Sequence, residues 1–262
     1  VTLRSLGESL RACGPDAPTL PDRPNILVAG CGTGREAMSL ARLAPDATVT
    51  AIELSDASLA VARTRCAGQA NLRLLRHDLH AVAELGQRFD YIVCSGVLHH
   101  LLDPEAGWAA LVGVLAPSGA MQVALYSRIA RLSVAAARMR LGALMREPVS
   151  DDLIREARRR LIAAPVPGVT NSRDFFSTAG VHDLLFHVHE DCFDVPRIEQ
   201  AIDTLGLQLL RFGLPTPEDA ARYREMAPHD PLHRDLAAWH AYEIRHPSTF
   251  GAMYKMTLAR AS

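Results

Sequence analysis

Strand-like and helix-like segments alternate along the first half of the chain, and this alternation constrains the fold more than any other feature. The segments NILVAG, TVTAIEL, LRLLRHDL, FDYIVCSG and GAMQVALYS have the apolar character of buried strands, and helix-like segments separate most of them. Strands that alternate with helices of about ten to fifteen residues form crossover units in a parallel sheet covered on both faces. The pattern therefore predicts a doubly wound α/β core over residues 25–127.

The segments around this core have a different character. Residues 1–24 are rich in proline and turn formers, which predicts a short helix and a loop that lead into the core. The alternation of strands and helices stops after Ser127. Residues 128–190, here called the insertion, are predicted to form a helical cap over a ligand site at the edge of the sheet. Residues 191–262 are predicted to complete the sheet, with a helical excursion over 216–246. The final segment, TFGAMYKMTLARA, alternates as an exposed edge strand does.

Composition narrows the class of protein. The 262 residues are 48% hydrophobic, which suffices for one full core. The 28 basic and 29 acidic residues nearly balance, and aromatic residues make up only 5%, which argues against a nucleic-acid surface or a polybasic membrane anchor. No apolar run approaches the ~20 residues of a membrane helix, and the five scattered cysteines indicate reduced thiols. We expect a cytoplasmic protein that binds neither nucleic acid nor membrane, and a homodimer stays open.

Charge is unevenly distributed in the second half of the chain. Residues 128–160 hold nine arginines and four acids, whereas residues 174–203 hold seven acids and one arginine. Opposite charge balances of this size leave two interpretations open. Either the two stretches face each other, or one of them meets a charged substrate.

A glycine turn follows the first predicted strand, with glycines at positions 30, 32 and 34. Glycine allows backbone amides to approach a ligand closely, and the following helix directs its N-terminus at that ligand. Enzymes that bind dinucleotides and enzymes that bind S-adenosyl-L-methionine (SAM) both use such a turn. The dinucleotide pattern GxGxxG requires a third glycine where Arg35 stands, whereas Glu53 suits the ribose of either cofactor.

Residues 25–127 resemble the class I SAM-dependent methyltransferases. The glycine turn, Glu53 after the second strand, Asp78 after the third, and the segments GVLHHLLDP and LAPSGAM carry this resemblance in this order. It implies a Rossmann-like, seven-stranded methyltransferase sheet and SAM as the cofactor. By this resemblance SAM contacts the following residues: Gly30, Cys31, Gly32, Thr33, Gly34, Glu53, Leu54, Asp78, Leu79, Ser95 and Gly96.

Two narrower resemblances concern other parts of the chain. The segment GVLHH is similar to the subgroup that includes ubiquinone and menaquinone methyltransferases. The segments RDFFSTAGVHDLLFHVHEDCFDVPRIEQAIDTLGLQLLRFGL and HPSTFGAMYKM resemble the C-terminal part of bacterial methyltransferases that are often fused to tetratricopeptide repeats. Neither resemblance identifies the methyl acceptor.

Three residues at predicted strand ends are catalytic candidates. In methyl transfer the cofactor carries the reactivity, and the protein aligns the reactants and excludes water. The carboxyl ends of parallel strands face the ligand, which selects His99 and His100 after the fourth strand and Tyr126 after the fifth. Both histidines are expected to open the helix that follows. Because successive helical residues point in different directions, we expect at most one of them to reach the substrate.

Four further residues are predicted to contact the acceptor: Arg128, His182, His187 and His189. His187 and His189 would share one face of a strand, which is compatible with two metal ligands. Without a third ligand we expect no metal site. The acceptor is expected to be a small molecule or a peptide with an O, N or C nucleophile. Two alternatives stay open, a SAM-binding sensor or scaffold without turnover and a nicotinamide-dependent oxidoreductase.

Overall fold

The computed structural model describes residues 3–187 and 189–261. Within them the α-helices are α1 (Leu3–Arg11), α2 (Arg35–Leu43), α3 (Asp56–Arg65), α4 (Pro104–Val114), α5 (Leu132–Leu141), α6 (Asp151–Ala163), α7 (Thr178–Leu185), α8 (Val195–Thr204), α9 (Pro217–Met226) and α10 (Leu236–Arg245). The strands are β1 (Asn25–Ala29), β2 (Thr48–Glu53), β3 (Leu72–Arg76), β4 (Phe89–Ser95), β5 (Leu115–Leu125), β6 (Leu207–Gly213) and β7 (Tyr254–Arg260). Short 3₁₀ helices lie at Leu79–Leu85, Leu98–His100, Gly142–Arg146 and Asp174–Phe176.

Across the described residues the seven strands form one sheet in the order β3-β2-β1-β4-β5-β7-β6. Strands β1 to β5 pair in parallel, and β7 runs antiparallel to its neighbours β5 and β6. The strand order reverses between β1 and β4, and ligands of doubly wound sheets bind at the carboxyl ends of the strands at such a point. The predicted Rossmann-like, seven-stranded α/β fold is confirmed.

The last strand does not lie at the edge of the sheet. Because β7 pairs with both β5 and β6, the predicted exposed edge position of TFGAMYKMTLARA is wrong. The alternation has another cause. Tyr254, Met256 and Leu258 are buried in the main core, whereas Lys255 is exposed on the opposite face of the sheet. An alternating pattern reports how well each face is covered, and it does not report how many neighbours a strand has.

Helices cover both faces of the sheet, which therefore has two cores. In β1, Leu27 and Ala29 belong to the larger core, whereas Ile26 and Val28 belong to the core beneath α1 and α2. Successive strand residues point to opposite faces. A strand covered on both sides thus needs a nearly continuous apolar run, and NILVAG provides it.

The helices of the insertion pack around a third core. Val134, Ile154 and Phe175 are among its fully buried members, and they come from α5, α6 and the segment before α7. None of the ten helices, over the residues that the structure describes, is long and apolar enough to span a bilayer.

The two ends of the insertion meet beside the carboxyl end of β5. Ser127 and Phe193 form an isolated parallel bridge. The Arg128 amide donates to the Phe193 carbonyl at 2.7 Å, and the Phe193 amide donates to the Tyr126 carbonyl at 2.9 Å. Glu243 of α10 is fully buried next to Ser127, and its Oε1 accepts a hydrogen bond from the Ser127 hydroxyl at 2.5 Å. The chain therefore enters and leaves the insertion at one narrow junction.

Candidate functional site

The glycine turn lies between β1 and α2, at the carboxyl edge of the sheet. Gly30, Gly32 and Gly34 have φ angles of 70°, 52° and 79°, in the left-handed region that favours glycine. A Cβ at Gly30 would collide with the Val97 side chain, and a Cβ at Gly34 would lie 2.9 Å from that of Ala62. No atom of the described residues lies within 4 Å of the corresponding point at Gly32. Packing therefore requires the outer two glycines, while Gly32 borders open space suited to a ligand.

Glu53, the last residue of β2, reaches across this turn. Its Oε2 accepts from the Gly32 amide at 2.9 Å, and its Oε1 accepts from the amides of Leu54 and Ser55, each at 2.9 Å. These bonds fix a partly exposed carboxylate beside the open face of Gly32. Each carboxylate oxygen has two lone pairs, so Oε2 can still accept one further hydrogen bond, from a ribose hydroxyl, whereas Oε1 already accepts two.

The predicted adenine end of the site lies beside β2 and β3. Leu54 is 57% exposed and offers an apolar surface. Asp78 is exposed, and its Oδ1 accepts from the His80 amide at 2.9 Å, which leaves its other oxygen available. The Leu79 side chain is buried in the main core, so it would contact a ligand only through its backbone.

The remaining predicted cofactor residues lie within or opposite the turn. The Thr33 hydroxyl accepts from the Arg65 guanidinium at 2.6 Å, so α3 holds the turn in place. Burial, followed by the nearby Glu53, raises the pKa of the Cys31 thiol to about 12, which keeps the thiol protonated. At the end of β4, Ser95 precedes Gly96, whose φ of 75° turns the chain away from the sheet.

His99 and His100 belong to a 3₁₀ helix, so the prediction that they open the following α-helix is wrong. That helix begins at Pro104, because the Asp103 side chain caps it by accepting from the Ala106 amide. His99 is fully buried, and its Nδ1 lies 3.2 Å from the Tyr126 amide, which can only donate.

The hydrogen bond at Nδ1 fixes the protonation of His99. The neutral ring carries its proton on Nε2, which has no partner among the described residues. Burial is the main cause that lowers the pKa of His99 to about 2. His99 can therefore donate a hydrogen bond, and it is poorly suited to accept a proton.

His100 has the opposite tautomer to His99. Its Nδ1 lies 2.9 Å from the His189 carbonyl oxygen, which can only accept, so Nδ1 carries the proton and Nε2 keeps its lone pair. The ring stacks on His187 at 3.6 Å, and the Nδ1 of His187 donates to the same carbonyl at 2.9 Å. Burial lowers the pKa of His100, and the bond to the His189 carbonyl opposes that shift. His100 is a neutral imidazole with a basic nitrogen at pH 7.

The Tyr126 ring packs against His99 and His100, and the guanidinium of a buried ion pair lies over the ring. Its ring lies 3.9 Å from that of His99, and the Arg131 guanidinium lies 4.1 Å above its centroid. Arg131 pairs with Glu190, and both side chains are only 7% exposed. Arg138 approaches the same carboxylate at 3.4 Å. Desolvation raises the pKa of Tyr126, so its hydroxyl stays protonated and can orient an acceptor.

Comparison with known proteins identifies the first half of the chain. Residues 26–119 match the family model described as a methyltransferase domain. This segment is a methyltransferase domain. Its cofactor is SAM, and the open turn at Gly32 with the carboxylate of Glu53 fits that group.

The relatives of the methyltransferase domain match this chain over only part of their own length. An uncharacterized protein of Synechococcus sp. is 46% identical over 125 residues, which cover 47% of this chain and 30% of that protein. An uncharacterized methyltransferase of Mycobacterium tuberculosis is 34% identical over 101 residues, which cover 38% of this chain and 50% of the relative. The chain thus spans at most half the length of these curated relatives.

A solved structure shares the fold over nearly the whole chain. PKMT2 from Rickettsia typhi aligns with 98% of this chain and 52% of its own, at a TM-score of 0.71 and 16% identity. A second structure of that protein contains AdoHcy. At 16% identity this similarity shows only a shared fold: the methyltransferase domain and the segments after it fold as the aligned part of PKMT2 does.

The structure brings two of the four predicted acceptor residues, His187 and His189, together at His100. His187 and His189 lie in an irregular segment after α7, so the predicted strand with both on one face is wrong. His187 contacts His100 through its ring, whereas His189 does so through its backbone; Val188 lies outside the described residues. In the described part of the chain no group of three or more His, Cys, Asp or Glu side chains could hold a metal ion.

The other two predicted acceptor residues, Arg128 and His182, have partners other than His100. Arg128 is 56% exposed and pairs with Asp194 at 3.2 Å. His182 is exposed on α7, where its ring lies 3.5 Å from Asp183. Whether either residue contacts an acceptor stays a prediction.

Arg131, Arg138 and Glu190 are site residues that the sequence does not single out individually. The signal that pointed to them is the charge asymmetry, because the two arginines belong to the basic stretch and Glu190 belongs to the acidic one. Pairs at Arg128, Arg131 and Arg138 join the stretches. These pairs agree with the first of the two interpretations, that the stretches face each other.

The Glu53→Ala variant is expected to bind SAM at least tenfold more weakly than the unmodified protein. Loss of a charge-assisted hydrogen bond costs about 1.5–3 kcal/mol, and 1.4 kcal/mol corresponds to about tenfold in affinity. Titration calorimetry with SAM measures the effect, and Glu84→Ala, at an exposed glutamate of a 3₁₀ helix, is the control. Unchanged affinity in a folded Glu53→Ala variant would contradict the ribose assignment.

Proposed function

We propose that this protein transfers the methyl group of SAM to an O, N or C nucleophile of a small-molecule or peptide acceptor. The observation that carries the proposal is the position of two groups at one edge of the sheet. The open turn at Gly32 with Glu53 follows β1 and β2, and His100, with its free Nε2, follows the neighbouring strand β4.

Each residue would contribute alignment or proton transfer. Bound SAM supplies an electrophilic methyl group for in-line displacement. Gly32 and Glu53 would hold the cofactor. His100 Nε2 would accept the proton of an acceptor that is protonated at neutral pH, because a neutral imidazole suits general-base catalysis. His99 would donate a hydrogen bond from Nε2, and the Tyr126 hydroxyl would orient the acceptor.

The insertion would cover the acceptor and exclude water. It leaves the sheet directly after β5, at the carboxyl edge where ligands of this fold lie. It returns to the same edge, where His187 packs on His100 and the carbonyl of His189 accepts from it. In this proposal residues 1–24 lead into the cofactor domain 25–127, residues 128–190 cover the acceptor, and residues 191–262 complete the sheet.

The His100→Asn variant is expected to transfer methyl groups at least about 100-fold more slowly, with SAM affinity unchanged. Asparagine can still donate to the His189 carbonyl, but it lacks the basic nitrogen. The assay follows label from methyl-tritiated SAM into fractions of a bacterial metabolite and peptide extract. His229→Asn, at an exposed histidine paired with Asp235, is the control.

The pH dependence of kcat/KM with a labelled fraction tests the same role. Because the pKa of His100 is lowered below its usual 6.5, the basic form prevails at neutral pH. Activity should rise with pH to a plateau, with the midpoint of the rise below pH 6.5, and this rise should vanish in His100→Asn. SAM binding without label transfer to any fraction would favour the sensor or scaffold alternative, and binding of NAD without SAM would favour the oxidoreductase.

A further inference from the structure

Buried nitrogen atoms without hydrogen-bond partners gather where the insertion meets the end of β5. Within the described residues they are Nε of Arg131, Nη2 of Arg138, and Nε2 of His99 and His189. Contacts link three of these residues, and the fourth, His189, precedes Glu190 in the chain. Both arginines approach Glu190, and Arg131 covers the ring of Tyr126, whose centroid lies 3.9 Å from that of His99.

The chemistry of these nitrogen atoms restricts what can bind them. Guanidinium nitrogens donate hydrogen bonds and accept none. Nε2 of His99 also donates, because Nδ1 of that ring accepts from the Tyr126 amide. Buried donors are normally paired, so the missing partner must supply hydrogen-bond acceptors.

The charges around the cluster favour an anion. Among the described residues, Arg131 and Arg138 share the carboxylate of Glu190, so two positive charges face one negative charge, and the Arg138 side chain is 31% exposed. Asp174 and Asp183 are also close enough to raise the pKa of Tyr126, but both side chains are exposed, so solvent screens their charges. Arg128 and Asp194 pair with each other.

We propose that Arg131 and Arg138 bind an anionic group of the methyl acceptor, a carboxylate or a phosphate. This inference rests on the proposed function, because it assigns the substrate class of the same site. The acceptor would place its anionic group under the insertion and its nucleophile beside His100. Arginine suits this role, since its planar donors match the oxygens of carboxylates and phosphates.

Binding of small anions tests the proposal without turnover. Thermal unfolding of the full chain with bound S-adenosyl-L-homocysteine is followed during titration with acetate, inorganic phosphate or neutral acetamide at constant ionic strength. Acetate or phosphate is expected to stabilise the protein, and the response identifies which of the two anions fits. Acetamide, which has nearly the shape of acetate, should have no effect.

Variants of one arginine locate the anion. Arg138→Gln should weaken binding of the anion about tenfold, as expected for a lost charge-assisted hydrogen bond, whereas Arg138→Lys keeps the charge and should retain most of it. Arg155→Gln removes one exposed cation from α6 and serves as the control.

Two results would overturn the proposal. One is equal stabilisation by acetate, phosphate and acetamide, because ordered water would then satisfy the buried donors. The other is equal anion affinity in Arg138→Gln and Arg155→Gln. Calorimetry with SAM separates this test from that of the methyltransferase function, because an Arg138→Gln variant that has lost the anion should still bind the cofactor.

Discussion

Replacement of Gly32 by valine is expected to weaken SAM binding by about 100-fold or more, equivalent to ~2.8 kcal/mol, while the protein stays folded. Apart from the adjacent residues, no described atom lies within 4 Å of the Cβ position of Gly32, so a side chain there would begin in the open space that the proposed cofactor site requires. Titration calorimetry with SAM measures the affinity, and circular dichroism verifies the fold.

The control for this substitution is Gly86→Val. Gly86 has a φ of 65° and no neighbour within 4 Å of its Cβ position among the described residues, so valine causes comparable backbone strain there. It lies before β4, at the opposite end of the strand from His100. If Gly32→Val binds SAM as tightly as Gly86→Val does, the turn has only a structural role.

The Glu190→Ala variant is expected to lose about 3–5 kcal/mol of the free energy of unfolding, because the substitution leaves Arg131 buried without its counter-ion. Denaturant unfolding measures this loss. Glu156→Ala, which disrupts an exposed pair with Arg160 on α6, should have a far smaller effect, since solvent screens such pairs.

The same variant tests whether the insertion covers the acceptor. With the ion pair gone, amide hydrogens of α5, α6 and α7 should exchange faster, and methyl transfer should fall further than SAM affinity. An unchanged exchange rate together with full transfer activity would mean that the Arg131–Glu190 pair does not hold the insertion over the site.

Features with local causes could be predicted from the sequence. The apolar run of β1 and the glycines of the turn each act within a few residues of their position in the chain. They suffice to define the strands, the crossover helices and the cofactor end of the site. The proposed cofactor residues Glu53 and Asp78 follow from the same logic, because the hydrophobic pattern shows where each strand ends.

Features with distant partners could not be predicted in the same way. The position of β7 depends on its pairing with β5, more than a hundred residues earlier. The spacing of His187 and His189 fits a strand, yet both contact His100, which no local pattern reveals. The Arg131–Glu190 pair joins residues 59 positions apart, and charge counts alone located it only to a stretch of chain.

The narrow junction between Ser127 and Phe193 has a consequence for how such proteins diversify. Because the chain leaves and re-enters the sheet at adjacent points, the intervening residues form a module that another sequence could replace without moving a single strand. In the proposed function this module shapes the acceptor pocket, whereas the cofactor contacts come from the turns after β1, β2 and β3. Acceptor preference and methyl-donor chemistry can therefore evolve independently on one scaffold, and grafting a foreign insertion at this junction offers a route to redirect methylation.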